Sequence, residues 1–331
     1  MKKYILLIIL LIIIFTINGC ASFGAASAEE YFAIGMAYYD MGKFADAEKW
    51  LNRAKAKDKT KIASEYNLGR IAFETGRYDD AAKHFEVILK RDPVNVLALK
   101  AAAYTYIRSG NIEKAAALYD RVLVLVPESS DDGYNYALVL YAMKKFAEAE
   151  QVLKSHEFAL LDNNDVLLLY ARAQKEQNKP EAIDTYEKWF VNNTSAQVRY
   201  EYGQLLESHE LYARAQEAYR LALDGLAAGS VDPAKQDVRF TIARLLLIAD
   251  AASGDGVTEL QEAVKEGFAD TEKITGLLDD ERISAANKEA IRAIITEVEQ
   301  AASTAAAQAA AAASAETTAP VAEETAGEGG N

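Results

Sequence analysis

The sequence predicts an all-α chain in which helical hairpins stack into a solenoid. Three observations carry that expectation. Half of the 331 residues are hydrophobic and only 5 are proline, while the strong helix formers alanine and leucine are abundant. Small residues recur at a fixed step: Gly35, Gly69 and Ala103 stand 34 residues apart, as do Gly42, Gly76 and Gly110, and Ala47, Ala81 and Ala115. A period of this length marks an array of helical units. Glycine and proline punctuate the array where helices should end, at Gly42, Gly76 and Gly110 and again at Pro93 and Pro127.

The N-terminus is an address and not part of the fold. Lys2 and Lys3 precede an unbroken run of 11 apolar residues, Ile5 to Phe15, and then Thr16-Ile17-Asn18-Gly19-Cys20. A run this short suits the apolar core of a signal peptide and is marginal for a membrane span. The alternative is an uncleaved anchor, but the run stops at Gly-Cys and does not continue toward about 20 residues. Ile17-Asn18-Gly19-Cys20 resembles a lipobox, with Ile17 where Leu is usual and Asn18 a less common choice. The resemblance implies a signal peptide over 1–19, a lipidated tether over 20–27, and diacylglycerol on Cys20, the only cysteine. Acylation holds a protein at a membrane because each buried methylene contributes about 0.8 kcal/mol. Ala21, not Asp, follows the cysteine. In a two-membrane cell the Gram-negative sorting rule would then place the protein at the outer membrane, facing the periplasm.

From residue 28 the repeat takes over. Counting each unit from its first residue, small residues occupy the eighth place (Gly35, Gly69, Ala103, Ala137, Gly203) and alanine the twentieth (Ala47, Ala81, Ala115, Ala149, Ala215). Larger residues hold the seventeenth (Phe44, Tyr78, Ile112, Phe146, Tyr212) and the twenty-fourth (Leu51, Phe85, Tyr119, Leu153, Tyr219). At these places the chain resembles the tetratricopeptide-repeat (TPR) family. That resemblance implies a right-handed α-solenoid of antiparallel helix pairs. The small residues let paired backbones approach, the large ones fill the space beside the contact, and no unit buries its apolar faces alone. Units are expected at 28–61, 62–95, 96–129, 130–163 and 196–229. A degenerate fifth lies around 164–195, where Leu167, Ala171, Ala182, Tyr186 and Trp189 fit if the turn has lost a residue.

The array of about six repeats thus spans 28–229. Residues 230–300 read as a degenerate seventh repeat and a helical cap, with helices expected at Arg239 to Ile248 and Val257 to Lys265. A further amphipathic helix over Asn287 to Ala302 carries Ile291, Ile294, Ile295 and Val298 on one stripe. Residues 301–331 form an Ala-rich tail expected to be disordered, although its 11 alanines between 301 and 315 could extend the last helix.

Composition and motifs exclude much chemistry. A formal charge of −14 argues against nucleic acid. His84, His156 and His209 are scattered and lack helical metal-ligand partners. Asp131-Asp132 and Asp279-Asp280-Glu281 lack calcium-loop spacing and read as capping or solvated groups. No phosphate loop is present, since Gly254-Asp255-Gly256 has no Lys-Ser/Thr after it. No cofactor and no catalysis are expected, and 230–300 contains no His, Cys or Tyr for a hidden active site.

The TPR resemblance implies that first helices line a concave groove through their second, fifth, ninth, twelfth and thirteenth places. Here that predicts a binding surface of Phe32, Tyr39, Tyr66, Arg70, Phe73, Lys100, Tyr104, Arg108, Tyr134, Tyr141 and Tyr200. Asn67 and Asn135 beside it are suited to hold a peptide backbone, and Phe240 and Leu247 continue the fifth and twelfth places. Aromatics and arginine are enriched at binding surfaces. The competing reading packs the same rings inside the solenoid. The carboxylate clamp of chaperone-binding TPRs is not matched, because Phe32, Met36, Tyr66 and Arg70 stand at its places. The expected function is a membrane-anchored scaffold that binds a peptide or protein partner in the cell envelope. The alternative is an accessory ligand-binding lipoprotein of a transport system.

Overall fold

The computed structural model describes residues 26–58, 62–155, 163–227, 229–249 and 254–317. Cys20, His156 and the apolar run Ile5 to Phe15 lie outside these residues. Among the described residues every regular element is helical, and no helix is long and apolar enough to cross a membrane. The chain divides into two compact units, residues 1–177 and 178–331.

The first unit holds α1 (Ala28–Asp40), α2 (Phe44–Lys57), α3 (Ile62–Glu74), α4 (Tyr78–Arg91), α5 (Val96–Arg108), α6 (Ile112–Leu125), α7 (Ser130–Ala142), α8 (Phe146–Ser155) and α9 (Asn164–Glu176). The helices begin in a 34-residue step because local signals repeat. Ser27 caps α1 in a reciprocal box with Glu30, and Asn95 caps α5 through the amide of Ala98 at 3.0 Å. The turn inside each hairpin needs a positive φ at its fifteenth place, supplied by glycine at Gly42, Gly76 and Gly110. Lys144, Asn178 and Glu210 hold the same conformation without being glycine, at φ of 52 to 60°. The turn geometry therefore persists where its sequence signal is lost.

Hairpin packing follows the signature places. Ala47, Ala81, Ala115, Ala149 and Ala215 are all completely buried, as are Leu51, Phe85, Tyr119, Leu153 and Tyr219 to within 2%. The eighth-place glycines sit directly against the twenty-fourth-place side chains. A Cβ on Gly69 would lie 2.7 Å from the Phe85 ring, and one on Gly203 would lie 2.5 Å from the Tyr219 ring. All-α solenoid architecture results, since each hairpin exposes an apolar flank that the next one covers.

The second unit holds α10 (Glu181–Phe190), α11 (Ala196–Ser208), α12 (Tyr212–Gly225), α13 (Lys235–Ala249), α14 (Asp255–Lys265), α15 (Thr271–Gly276) and α16 (Ala285–Thr317). In the degenerate stretch Ala171, Ala182, Tyr186 and Trp189 are buried. Ala182 follows Ala171 by eleven residues, against twelve between Gly35 and Ala47, and Pro180 starts α10 in helical backbone. At the C-terminal end Phe240, Leu247, Leu260, Ile291, Ile294 and Val298 belong to one core. Arg239 ties α13 to α14 by pairing with Glu259 at 2.6 Å and Glu266 at 2.8 Å. α16 runs on through the alanines to Thr317, the extension that their propensity left open. The alanines sustain the helix by propensity alone, since residues 301–310 are exposed.

Candidate functional site

The first helices do present an aromatic face, but each ring is partly spent on packing. Twelfth-place rings lean on the ring that opens the second helix of their own hairpin. Tyr39 meets Phe44 at 5.6 Å, Phe73 meets Tyr78 at 5.5 Å, and Tyr141 meets Phe146 at 5.1 Å between centroids. Fifth-place rings lean on the twenty-fourth place: Tyr66 on Phe85 at 5.5 Å and Tyr200 on Tyr219 at 5.3 Å. Tilted contacts of this kind add roughly 0.5–1.5 kcal/mol beyond area burial. Phe32, Tyr39, Tyr66, Phe73, Tyr134, Tyr141 and Tyr200 consequently end half-buried, each with one side still in water.

Successive repeats are joined along this face by the ninth and thirteenth places. The Arg70 guanidinium lies 4.5 Å from the Tyr39 ring centroid, and Tyr104 packs on Phe73 at 5.4 Å. Arg108 covers Phe73 and Tyr78 at 5.9 and 5.6 Å and donates to the Tyr78 hydroxyl at 3.1 Å. Cation–π contacts at exposed sites contribute roughly 0.5–1 kcal/mol. Tyr104 is the most open of these rings, at 47% exposure.

Several sequence expectations are corrected here. Asn67 does not face the groove as a free peptide clamp. It is buried, donates to the Ala63 carbonyl at 2.8 Å and accepts from Arg70 at 3.1 Å. Asn135 is half-buried. Lys100 is not a free cation, because its ammonium pairs with Asp132 of the next repeat at 2.9 Å. Asp132, read as a capping or solvated group, is buried to 1%, and it accepts from Ser129 at 2.5 Å. Its Oδ1 has no partner among the described residues. Burial of an unpaired carboxylate oxygen is costly, and Asp132 helps hold the nearby Tyr119 phenol up at about 12, after burial itself. Phe240 and Leu247 leave the groove for the C-terminal core, where Phe240 stacks on Phe268 at 4.4 Å.

In the second unit Tyr200 lines a pocket of about 320 Å³ with Val231, Asp237, Phe240, Phe268 and Lys273. Glu207, at a twelfth place, is committed to Arg244 and to the Tyr219 hydroxyl. Among the described residues no cluster of three or more His, Cys, Asp or Glu could hold a metal. His84 donates or accepts at 2.8 Å with Glu65, which also pairs with Lys55 at 2.6 Å. Burial pushes the Glu65 carboxyl up, but the bonds from Lys55 and His84 outweigh it and hold it below its usual value.

Comparison with known proteins agrees with this geometry. Models described as tetratricopeptide repeat match residues 28–61 and 66–132, and one described as anaphase-promoting complex, cyclosome, subunit 3 matches residues 108–189. The chain is similar to an uncharacterized lipoprotein of Treponema pallidum (strain Nichols), 24% identical over 47% of this chain and 80% of that one. In fold it is similar to a tetratricopeptide repeat protein from Parabacteroides merdae, with 19% identity, a TM-score of 0.50, and coverage of 76% of this chain and 96% of that one. A segment of MamA from Desulfovibrio magneticus aligns at 17% identity and a TM-score of 0.46, over 50% of this chain and 94% of that one.

Proposed function

The chain is a tetratricopeptide-repeat protein, and from that premise we propose that it is a non-catalytic scaffold of the cell envelope, tethered by lipid, whose first-helix face receives an extended segment of a partner protein. One observation carries the reading. Across three successive repeats, rings and guanidinium groups meet on this face, Arg70 over Tyr39 and then Tyr104 and Arg108 on Phe73, and part of their surface stays in water after packing. Rigid rings with a polar edge bind at low entropic cost.

The tether rests on the lipobox-like residues ending in Cys20, supported by the lipoprotein name of the Treponema relative. Ala21 favours the periplasmic face of an outer membrane. Two measurements test the whole reading. Labelling with palmitate should tag the native chain and not Cys20→Ser, which should leave the membrane fraction. A photo-crosslinking residue at Tyr104 or Tyr134 should capture an envelope protein. If those positions capture nothing while exposed Val124, on the second-helix side, does, the groove is not the binding face.

The pocket at Tyr200 favours a second reading, an accessory that takes a small ligand for a transport system. The buried rings Phe240 and Phe268 line it together with Asp232, Asp237, Thr241 and Lys273, so a ligand there would meet polar groups as well as rings. A thermal-shift screen would favour this reading if a ligand raised the melting temperature of the native chain but not of Phe268→Ser.

A further inference from the structure

The second-helix side of each repeat junction is built from the same places, so successive junctions can be compared residue by residue. Between the first and second repeats that space is filled by ions. Glu65, 5% exposed, is held between Lys55 and His84. Between the third and fourth it is lined by Asp120, Tyr136, Leu140 and Glu148, an acidic cleft of about 280 Å³. Between the fifth and sixth, in the second unit, Tyr202 enters the space at the seventh place. Its hydroxyl donates to Glu187 at 2.8 Å and accepts from Arg214 at 2.8 Å, and Arg199 covers Phe190 at 4.4 Å.

The junction between the second and third repeats differs from all of these. Its seventh place is Ala102, so the room that Tyr136 and Tyr202 occupy elsewhere is vacant. The tyrosine stands one helical turn later, at Tyr106, where it donates to Glu86. What remains between α4, α5 and α6 is a cleft of about 380 Å³ with Leu89, Ala102, Ala117 and Leu118 on its floor and walls. Three cations rim it: Lys90, Lys114 and Arg121. Arg121 donates to the Pro93 carbonyl at 2.5 Å and Lys114 lies 4.9 Å from the Tyr106 ring. The single carboxylate of the lining, Glu86, is already engaged by the Tyr106 hydroxyl. On a chain of formal charge −14, an apolar cleft carrying an excess of cations is a local inversion of the surface.

We propose that this cleft is a second docking site, separate from the first-helix face, for an acidic segment of a partner protein that inserts a bulky apolar side chain. The apolar walls supply the burial, and Lys90 and Lys114, which have no carboxylate partner among the described residues, supply the charge complement. The volume lies at the small end of ligand pockets, which span roughly 300–1,000 Å³, and suits one large side chain with its flanking backbone.

The test is a peptide-display selection on the detergent-solubilised full chain at low salt, run in parallel on the variant Lys90→Glu/Lys114→Glu. Both substitutions fall on exposed positions, and thermal melting by circular dichroism verifies that the variant stays folded. Peptides retained by the native chain alone should carry Asp or Glu beside Leu, Phe or Met. Their affinity, read by fluorescence anisotropy, should fall about tenfold or more in the charge-reversed chain. It should fall similarly in Ala117→Trp, which fills the cleft from an exposed residue. Equal retention by both chains, recovered peptides without acids, or indifference to Ala117→Trp would overturn the site. So would binding of phosphatidylglycerol vesicles that needs Lys90 and Lys114 when no acidic peptide does. Crosslinking from Tyr104 and Tyr134 in the Ala117→Trp chain reports on the first-helix face separately.

Discussion

Two junctions of the same design, one in each unit, end as different surfaces. Both place a glutamate in the second half of the earlier second helix, Glu86 and Glu187, and both use it to hold a buried tyrosine hydroxyl, from Tyr106 and Tyr202. Both put a cation at the nineteenth place, Lys114 and Arg214. In one the tyrosine springs from the eleventh place and leaves a cleft of about 380 Å³, and in the other it springs from the seventh and leaves about 240 Å³. Where the ring stands one helical turn later, the cleft beside it is the larger of the two. The lesson is that a repeat fixes the backbone spacing of a junction, while its surface chemistry is set by which place carries the ring.

The largest expected effect would break the comparison at its base. If the eighth-place contact sets the register of each hairpin, Gly203→Val must force the Tyr219 ring, 2.5 Å from the added Cβ, out of place. A loss of about 3 kcal/mol or more in urea unfolding is expected. A tolerated substitution would mean that place numbers do not align the two junctions. Next, exchanging the ring positions should convert each junction into the other. Ala102→Tyr/Tyr106→Leu should close the first-unit cleft at a cost of about 1–3 kcal/mol and abolish acidic-peptide binding. Tyr202→Ala/Leu206→Tyr should open the second. A crystal structure of either double variant with an unchanged cleft would refute the single-turn account.

A smaller effect separates the two tyrosines electrostatically. Burial, then the bond to the neighbouring glutamate, pushes each phenol up from 10.0 to about 12, but at Tyr202 the cation Arg214 pulls the other way. Because the folded value exceeds the unfolded one, the stability linked to these phenols is complete below pH 10. It is lost as pH rises through 12. Titration of ¹³Cζ-tyrosine resonances should show Glu86→Gln and Glu187→Gln lowering their respective phenols, and Arg214→Met raising Tyr202 alone. The smallest effect lies in the hairpin turns. Lys144 in one unit and Glu210 in the other hold φ of 59 and 60°. Lys144→Gly and Glu210→Gly should each stabilise by about 0.5–1 kcal/mol in thermal or urea unfolding, as left-handed strain is relieved.

Much of the fold was legible in the sequence because its causes are local and periodic. Ala47, Ala81 and Ala115 are buried for one reason repeated at each step, and Gly42, Gly76 and Gly110 end helices through their own backbone freedom. The candidate groove was legible only as a set of places. That Tyr104 is open, that Asn67 is turned inward and that Phe240 joins the C-terminal core depend on neighbours a repeat or more away. That the alanines could carry α16 onward was legible from their propensity, and residues 301–310 are exposed along it.

By itself the sequence determined the helical hairpins, their step, the residues that pack within each and the candidate lipidated cysteine, since each is encoded by a residue type at a fixed spacing. Tertiary structure alone decided which side chains remain available. Lys100 is bound by Asp132 across 32 residues, Arg70 lies over Tyr39 across 31, and Arg244 meets Glu207 across 37. Those partnerships arise where two hairpins face each other. Charge and ring placement there follow no period, so only the stacked geometry fixes which groups are satisfied and which face a partner.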